Sequence, residues 1–200
     1  MITFTIKSCK ITISFLLIAA AAILLLEDTT GIAALTFFAA FLHETGHLMV
    51  MRFLHVYPFQ VRFTIFGIDI IKSGNTNRSY IRDVLISLAG PAANLTAALP
   101  ACLLSNPFGF NFTAVNLILA AFNLLPIEPL DGGQALYSLL CVRFSPERSA
   151  HVVSVLSFFV LTPLAAIGFL VVFQSLWNFS LLLICCYLMA LLVLKKGRYY

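Results

Sequence analysis

The segment from His43 to His47 reads His-Glu-Thr-Gly-His, an HExxH pattern inside a long apolar stretch. Residues four apart on a helix share one face, so the imidazoles of His43 and His47 can bind one Zn²⁺ ion together. Glu44 lies between them and can act as a general base that takes a proton from an attacking water. The pattern indicates metal-dependent hydrolysis, although short motifs also arise by chance.

The depth of this segment argues against a chance match. His43 lies nine residues before the interfacial Arg52, which is about 13 Å along a helix with a rise of 1.5 Å per residue. Ionisable side chains at membrane depth cost up to a few kcal/mol each, and they normally face an interior site with partners. The ionisable side chains of His43, Glu44 and His47 therefore predict an internal site that water reaches from the cytoplasmic side.

A catalytic zinc ion usually has three protein ligands and one open position, so a third ligand is expected elsewhere in the chain. Asp131 is the predicted third ligand, because it lies where Pro126 and Pro129 remove two backbone donors and Gly132 follows. Irregular backbone at membrane depth is tolerated where it lines a protein-covered cavity. Glu128 is the alternative ligand in the same segment.

Two amides and two further histidines have weaker assignments. Asn94 and Asn123 could hydrogen-bond the substrate backbone or a developing oxyanion, and packing between helices is the alternative reading for both. His55 and His151 lie in or beside predicted cytoplasmic loops, where an imidazole needs no metal.

The cysteines have no CxxC spacing, so buried free thiols are expected at Cys9, Cys102, Cys141, Cys185 and Cys186.

The composition places these residues in a membrane protein. Hydrophobic residues make up 61% of the 200 residues and charged residues 10%, with a mean hydropathy of +1.01, which is too apolar for a water-covered domain. The predicted fold is an all-α polytopic membrane protein, with one membrane-embedded domain over 1–200 and a short membrane-associated β-hairpin over 57–71. About six spans are predicted, at 11–26, 32–50, 81–104, 112–142 with a break, 150–173 and 176–194.

The positive charges predict one orientation of these spans. With the N-terminus in the cytoplasm, all twelve Lys and Arg residues fall in inside segments, whereas Glu27 and Asp28 fall outside. Both termini are therefore expected in the cytoplasm, with the chain passing several times through a cell membrane. The cations form no dense patch, so the expected surroundings are the lipid bilayer and no nucleic acid. A regulatory module would be a separate membrane partner, since the spans leave no room for a soluble domain.

Three motifs together resemble the site-2 protease family of intramembrane metalloproteases. They are His-Glu-Thr-Gly-His at 43–47, Gly-Pro-Ala-Ala-Asn at 90–94, and Asn-Leu-Leu-Pro-Ile-Glu-Pro-Leu-Asp-Gly-Gly at 123–133. The likeness covers roughly 32–142. The compact six-span layout, with a hairpin and no inserted PDZ domain, is most similar to the stage IV sporulation protease group of that family.

The resemblance implies an intramembrane zinc metalloprotease with His43, His47 and Asp131 as metal ligands and Glu44 as base. It also implies a membrane-spanning or membrane-associated protein substrate, and for the sporulation group an inactive sigma-factor precursor in a bacterial cell. Members of that group carry a C-terminal CBS domain that is not expected in this sequence, which leaves the substrate open. The alternative functions are a non-proteolytic metal-binding membrane regulator or transporter, and a structural subunit. Glu44 argues against the regulator or transporter, because metal binding alone needs no carboxylate between the histidines. A structural subunit would leave the coincidence of the three motifs unexplained.

Overall fold

The computed structural model describes residues 2–6, 9–56, 58–64, 67–72, 79–174 and 179–193. This part of the chain is mostly helical. Its helices are α1 Phe15–Leu26, α2 Ile32–Phe53, α3 Tyr80–Ala101, α4 Pro107–Asn123, α5 Asp131–Cys141, α6 Pro146–Gln174 and α7 Ser180–Val193. Its strands are β1 Ile2–Ile6, β2 Cys9–Ile13, β3 Pro58–Thr64 and β4 Gly67–Lys72.

Three of the described helices are long and apolar enough to cross a membrane. These are α2, α3 and α6, with 22, 22 and 29 residues, or about 33 to 44 Å at 1.5 Å per residue. Two shorter apolar helices cover Leu17–Leu26 and Ser180–Val193. The total of six spans stays a prediction, and the predicted span over 176–194 lies partly outside the described residues.

The predicted fourth span consists of two helices, α4 and α5, with an irregular segment between them. Pro126 and Pro129 lie in this segment and have no N–H for a helical hydrogen bond. The chain turns so tightly that a Cβ on Gly132 would meet the carbonyl oxygen of Leu124, and Gly133 is equally confined. The expected break therefore occurs, and the glycines allow α5 to start directly after it.

A four-stranded sheet, in the order β1-β2-β3-β4, differs from the predicted lone hairpin. Strands β3 and β4 pair antiparallel as expected, although residues 57 and 65–66 of the predicted hairpin lie outside the described residues. Strand β2 pairs antiparallel with β1 and parallel with β3. The prediction that the first helix starts at 11 is wrong, because 9–13 form β2 and the helix starts at Phe15. The association of the hairpin with the membrane stays a prediction.

The chain forms two compact units. One comprises Met1–Arg78 and Ala89–Ala120, and the other comprises Ser79–Leu88 and Ala121–Tyr200. The second unit has two apolar clusters that hold its helices together. The first cluster is centred on Ile127, Leu161 and Leu188, and the second on Tyr137, Cys141 and Val153. Ile127 belongs to the segment between α4 and α5, so this packing fixes the helix break. One domain over 1–200 stays a prediction.

The N-terminus of α2 is anchored by the carboxylate of Asp28. One oxygen accepts a hydrogen bond from the Ala34 N–H at 3.1 Å, and the other accepts from the N–H and hydroxyl of Thr30 at 3.2 and 3.0 Å. Desolvation acts to raise the pKa of Asp28, but these hydrogen bonds outweigh it and lower the pKa below its usual value. The charged carboxylate thus satisfies backbone donors at the start of the helix that carries the histidines.

Close packing of α2 against α3 depends on Gly46. A Cβ on Gly46 would lie 2.6 Å from the carbonyl oxygen of Ala89 and 2.7 Å from the Cβ of Ala93. One of these atoms belongs to the backbone, so no side-chain rotation relieves the contact. Small residues at a helix crossing allow such close approach in membrane proteins.

We predict that Gly46→Ala lowers the unfolding temperature of the purified protein. Helix propensity alone would favour alanine by about 1 kcal/mol, but the contact with Ala89 forces the helices apart, and overpacking typically costs about 1–3 kcal/mol. Thermal unfolding in detergent measures the change. Phe41→Ala is the control, because that side chain is 63% exposed on the same helix. A Gly46→Ala protein more stable than wild type would contradict the packing argument.

Candidate metal centre

His43 and His47 form a buried pair on one face of α2. Their side chains are 5% and 6% exposed, and their Nε2 atoms lie 3.1 Å apart. Two nitrogen ligands at 2.0–2.1 Å from a tetrahedral zinc ion are about 3.3 Å apart. The spacing of the two ring nitrogens therefore fits zinc ligation with little movement.

The orientation of His43 is set by Asn94 on α3. His43 Nδ1 lies 2.7 Å from Asn94 Oδ1, and Asn94 Nδ2 donates to the carbonyl oxygen of Ala39 at 2.9 Å. A carbonyl oxygen only accepts, so the Asn94 amide must turn its nitrogen to Ala39 and its oxygen to His43. Nδ1 of His43 then carries the hydrogen, and Nε2 keeps the lone pair that a metal ligand needs.

Gly90 of α3 lies against the same two ring nitrogens. A Cβ at this position would lie 2.6 Å from His43 Nε2 and closer still to His47 Nε2. Any side chain here would therefore occupy the space beside the nitrogens. Gly90 is the first residue of the Gly-Pro-Ala-Ala-Asn motif, and its lack of a side chain leaves room at the histidine pair.

The segment before α5 positions Asp131, which is half-buried and is the first residue of that helix. The N–H of Glu128 donates to Ser157 Oγ of α6 at 2.9 Å, and that hydroxyl donates to the carbonyl oxygen of Val153 at 2.7 Å. Ser157 is fully buried. Its hydroxyl thus ties the irregular segment to α6, a role that the sequence analysis missed although a serine stands out in the apolar run of that helix.

One group of side chains in the described part of the chain could hold a metal ion. It consists of His43, His47 and Asp131, whose ligand atoms all lie within 4.8 Å of one another. Two imidazoles and a carboxylate are a donor set that suits Zn²⁺. Glu128, the alternative ligand, is not in this group.

The other predicted site residues occupy different surroundings. Glu44 is half-buried on α2, and Asn123 is half-buried as the last residue of α4. His55 and His151 are exposed and belong to no metal-binding group among the described residues.

The contacts of Asn94 favour the packing alternative over a substrate-binding role. Its side chain is fully buried, and its two amide hydrogens go to Ala39 and to Oδ1 of Asn116, at 2.9 and 2.8 Å. An amide has two hydrogens to donate, so in this arrangement neither remains for a substrate.

Comparison with known proteins gives matches in both sequence and fold. The sequence model of peptidase family M50 matches residues 103–164. Stage IV sporulation protein FB of Bacillus subtilis (strain 168) is 30% identical over 116 residues, which is 55% of this chain and 40% of that protein. The chain thus matches less than half the length of this relative.

Among solved structures, a site-2 protease from Methanocaldococcus jannaschii is similar to this chain. It has a TM-score of 0.66 and 20% identity, covering 98% of this chain and 95% of that chain, and it shows that the fold is shared. The M50 match includes Asp131, while the HExxH segment lies outside it. The chain is thus similar to peptidase family M50 over residues 103–164, and it shares the fold of a site-2 protease.

Proposed function

We propose that this protein is an intramembrane zinc metalloprotease that hydrolyses a peptide bond in or near a membrane-spanning or membrane-associated protein. The observation that carries the proposal is the buried histidine pair, whose Nε2 atoms face each other at 3.1 Å with one helical turn between His43 and His47. Both nitrogens have the burial and spacing of zinc ligands, and Glu44 lies between these histidines on the same helix.

Each proposed site residue has one task in the reaction. His43, His47 and Asp131 would hold one Zn²⁺ ion, which when bound supplies a Lewis acid and lowers the pKa of water towards about 7. Glu44 takes a proton from the attacking water and passes it to the departing amine, as a general base and then a general acid. Asn123, at the end of α4, is proposed to hydrogen-bond the substrate.

The substrate is proposed to bind in an extended conformation. A peptide bond within a helix is shielded by its own hydrogen bonds, so a helical substrate must unwind before hydrolysis. Strand β4 is an edge strand, paired on one side with β3, and an edge strand offers backbone groups to an extended peptide. We propose that the substrate adds to this edge, and that a regulatory precursor is one such substrate.

The proposed setting is a bacterial cell membrane that the chain crosses several times. Its fold is shared with a site-2 protease, and three of its described helices are long and apolar enough to span a membrane. The distribution of Lys and Arg supports cytoplasmic termini and entry of water from that side. A separate membrane protein is proposed as the regulatory partner.

We predict that Glu44→Gln keeps one zinc ion per chain but slows cleavage at least about 100-fold, because loss of a general base typically costs 10²–10⁴ in rate. The measurement is product formation on coexpression with a panel of tagged single-span proteins, together with metal analysis. Glu27→Gln is the matched control in an exposed loop. Undiminished cleavage by Glu44→Gln would eliminate the proposed base. Bound zinc without any cleavage by wild type would favour a non-proteolytic regulator or transporter.

Two carboxylate variants separate the candidate third ligands. We expect Asp131→Ala to lose its zinc on dialysis, because only two protein ligands remain, while Glu128→Gln keeps about one zinc per chain. Metal analysis of both purified variants measures this. The opposite pattern would make Glu128 the ligand.

The proposed orientation predicts which side of the membrane a reagent can reach. In a variant whose five cysteines are replaced by serine, Glu27→Cys, at an exposed position, should react in intact cells with a membrane-impermeant maleimide. Arg148→Cys, on the proposed cytoplasmic side, should react only after the cells are opened. Labelling of Arg148→Cys alone in intact cells would reverse the proposed topology.

A further inference from the structure

Asn116 of α4 is a fully buried polar residue that the proposed reaction does not use. Its Oδ1 accepts a hydrogen bond from Asn94 Nδ2 at 2.8 Å, and its own Nδ2 donates to the carbonyl oxygen of Phe112 at 2.9 Å. Asn94 Oδ1 in turn lies 2.7 Å from His43 Nδ1. A continuous chain of hydrogen bonds therefore leads from His43 to the backbone of α4.

The direction of every hydrogen bond in this chain is fixed at its far end. The Phe112 carbonyl oxygen can only accept, so Asn116 must turn its nitrogen to Phe112 and its oxygen to Asn94. Asn94 must then present a hydrogen to Asn116, which leaves its own oxygen for His43. Nδ1 of His43 is consequently a donor, and Nε2 keeps its lone pair.

All hydrogen bonds in the chain run the same way, so each one polarises the next. His43 donates to Asn94, Asn94 donates to Asn116, and Asn116 donates to Phe112. Aligned hydrogen bonds in a buried site strengthen one another. A stronger acceptor at Nδ1 raises the basicity of Nε2, as the outer partners of metal-binding histidines do.

We propose that Asn116 is a positioning residue of the metal centre, which acts through Asn94 to hold His43 in the tautomer that binds metal. This inference rests on the proposed ligation of zinc by His43. The carbonyl oxygen of Ala39 provides a second restraint on Asn94. Loss of Asn116 should therefore weaken the restraint without abolishing it.

The test measures zinc affinity and the His43 tautomer in the full-length protein in detergent. We expect Asn116→Ala to bind zinc about tenfold more weakly or worse in competition with a chelator, the range seen when outer partners of metal ligands are removed. The ¹⁵N shifts of the His43 ring in the zinc-free protein should move from the Nδ1–H form towards a mixture of tautomers.

Two further variants isolate the positioning role. In its neutral form, Asn116→Asp can donate its O–H to the Phe112 carbonyl oxygen and accept from the Asn94 amide with its other oxygen, so it should restore most of the zinc affinity and the Nδ1–H signal. Thr113→Val changes a hydroxyl one turn earlier on α4, with no hydrogen-bond partner among the described residues, and should match wild type. If Asn116→Ala does not fold, Asn116→Ser replaces it in both measurements.

The outcomes distinguish this inference from the proposed function. If wild type binds no zinc, the proposed metal ligation fails. If wild type binds zinc, while Asn116→Ala keeps a zinc affinity within twofold and an unchanged His43 tautomer, the positioning role is overturned. A lower unfolding temperature with both values unchanged would also overturn it, because Asn116 would then only support packing.

Discussion

The Nε2 atoms of His43 and His47 face each other, and the rest of the structure depends on this arrangement. Imidazoles bind a metal only when both lone pairs point to the same space, and burial removes water as an alternative partner. α2 supplies the spacing, because residues four apart share a face. The 3.1 Å separation of the nitrogens follows from that spacing and from the hydrogen bond between His43 and Asn94.

Small residues and buried amides serve this arrangement from the neighbouring helices. Gly46 lets α2 and α3 approach closely, and Gly90 leaves the space beside the ring nitrogens open. Asn94 and Asn116 carry the orientation of His43 to the backbone of α4. In the other unit, Ser157 fixes the segment that precedes Asp131. Each of these residues acts by placing another group.

The sequence predicted the features that local chemistry determines. The HExxH spacing predicted that His43 and His47 share one face of a helix, and the prolines at 126 and 129 predicted the break between α4 and α5. The antiparallel pair of β3 and β4 lies almost wholly in the segment 57–71, where a hairpin was predicted. These features depend on periodicity or on backbone chemistry, both of which are visible in a single sequence.

Features that depend on distant partners were missed. Strands β1 and β2 alternate apolar with polar residues, but the parallel pairing of β2 with β3 joins segments about fifty residues apart. Asn116 is one of three asparagines in α4, and its role is apparent only when Asn94 is seen beside it. Asn94 lies in a sequence motif, but only its contacts show that it orients His43, a role that the sequence alone does not distinguish from substrate binding.

X-ray absorption spectroscopy of the zinc-loaded protein tests the central claim most directly, since it reports the ligand atoms around the metal. The account predicts two imidazole nitrogens with oxygen ligands, all at about 2.0–2.2 Å, and no sulfur. A sulfur shell at about 2.3 Å, or fewer than two imidazoles around the zinc, would contradict it.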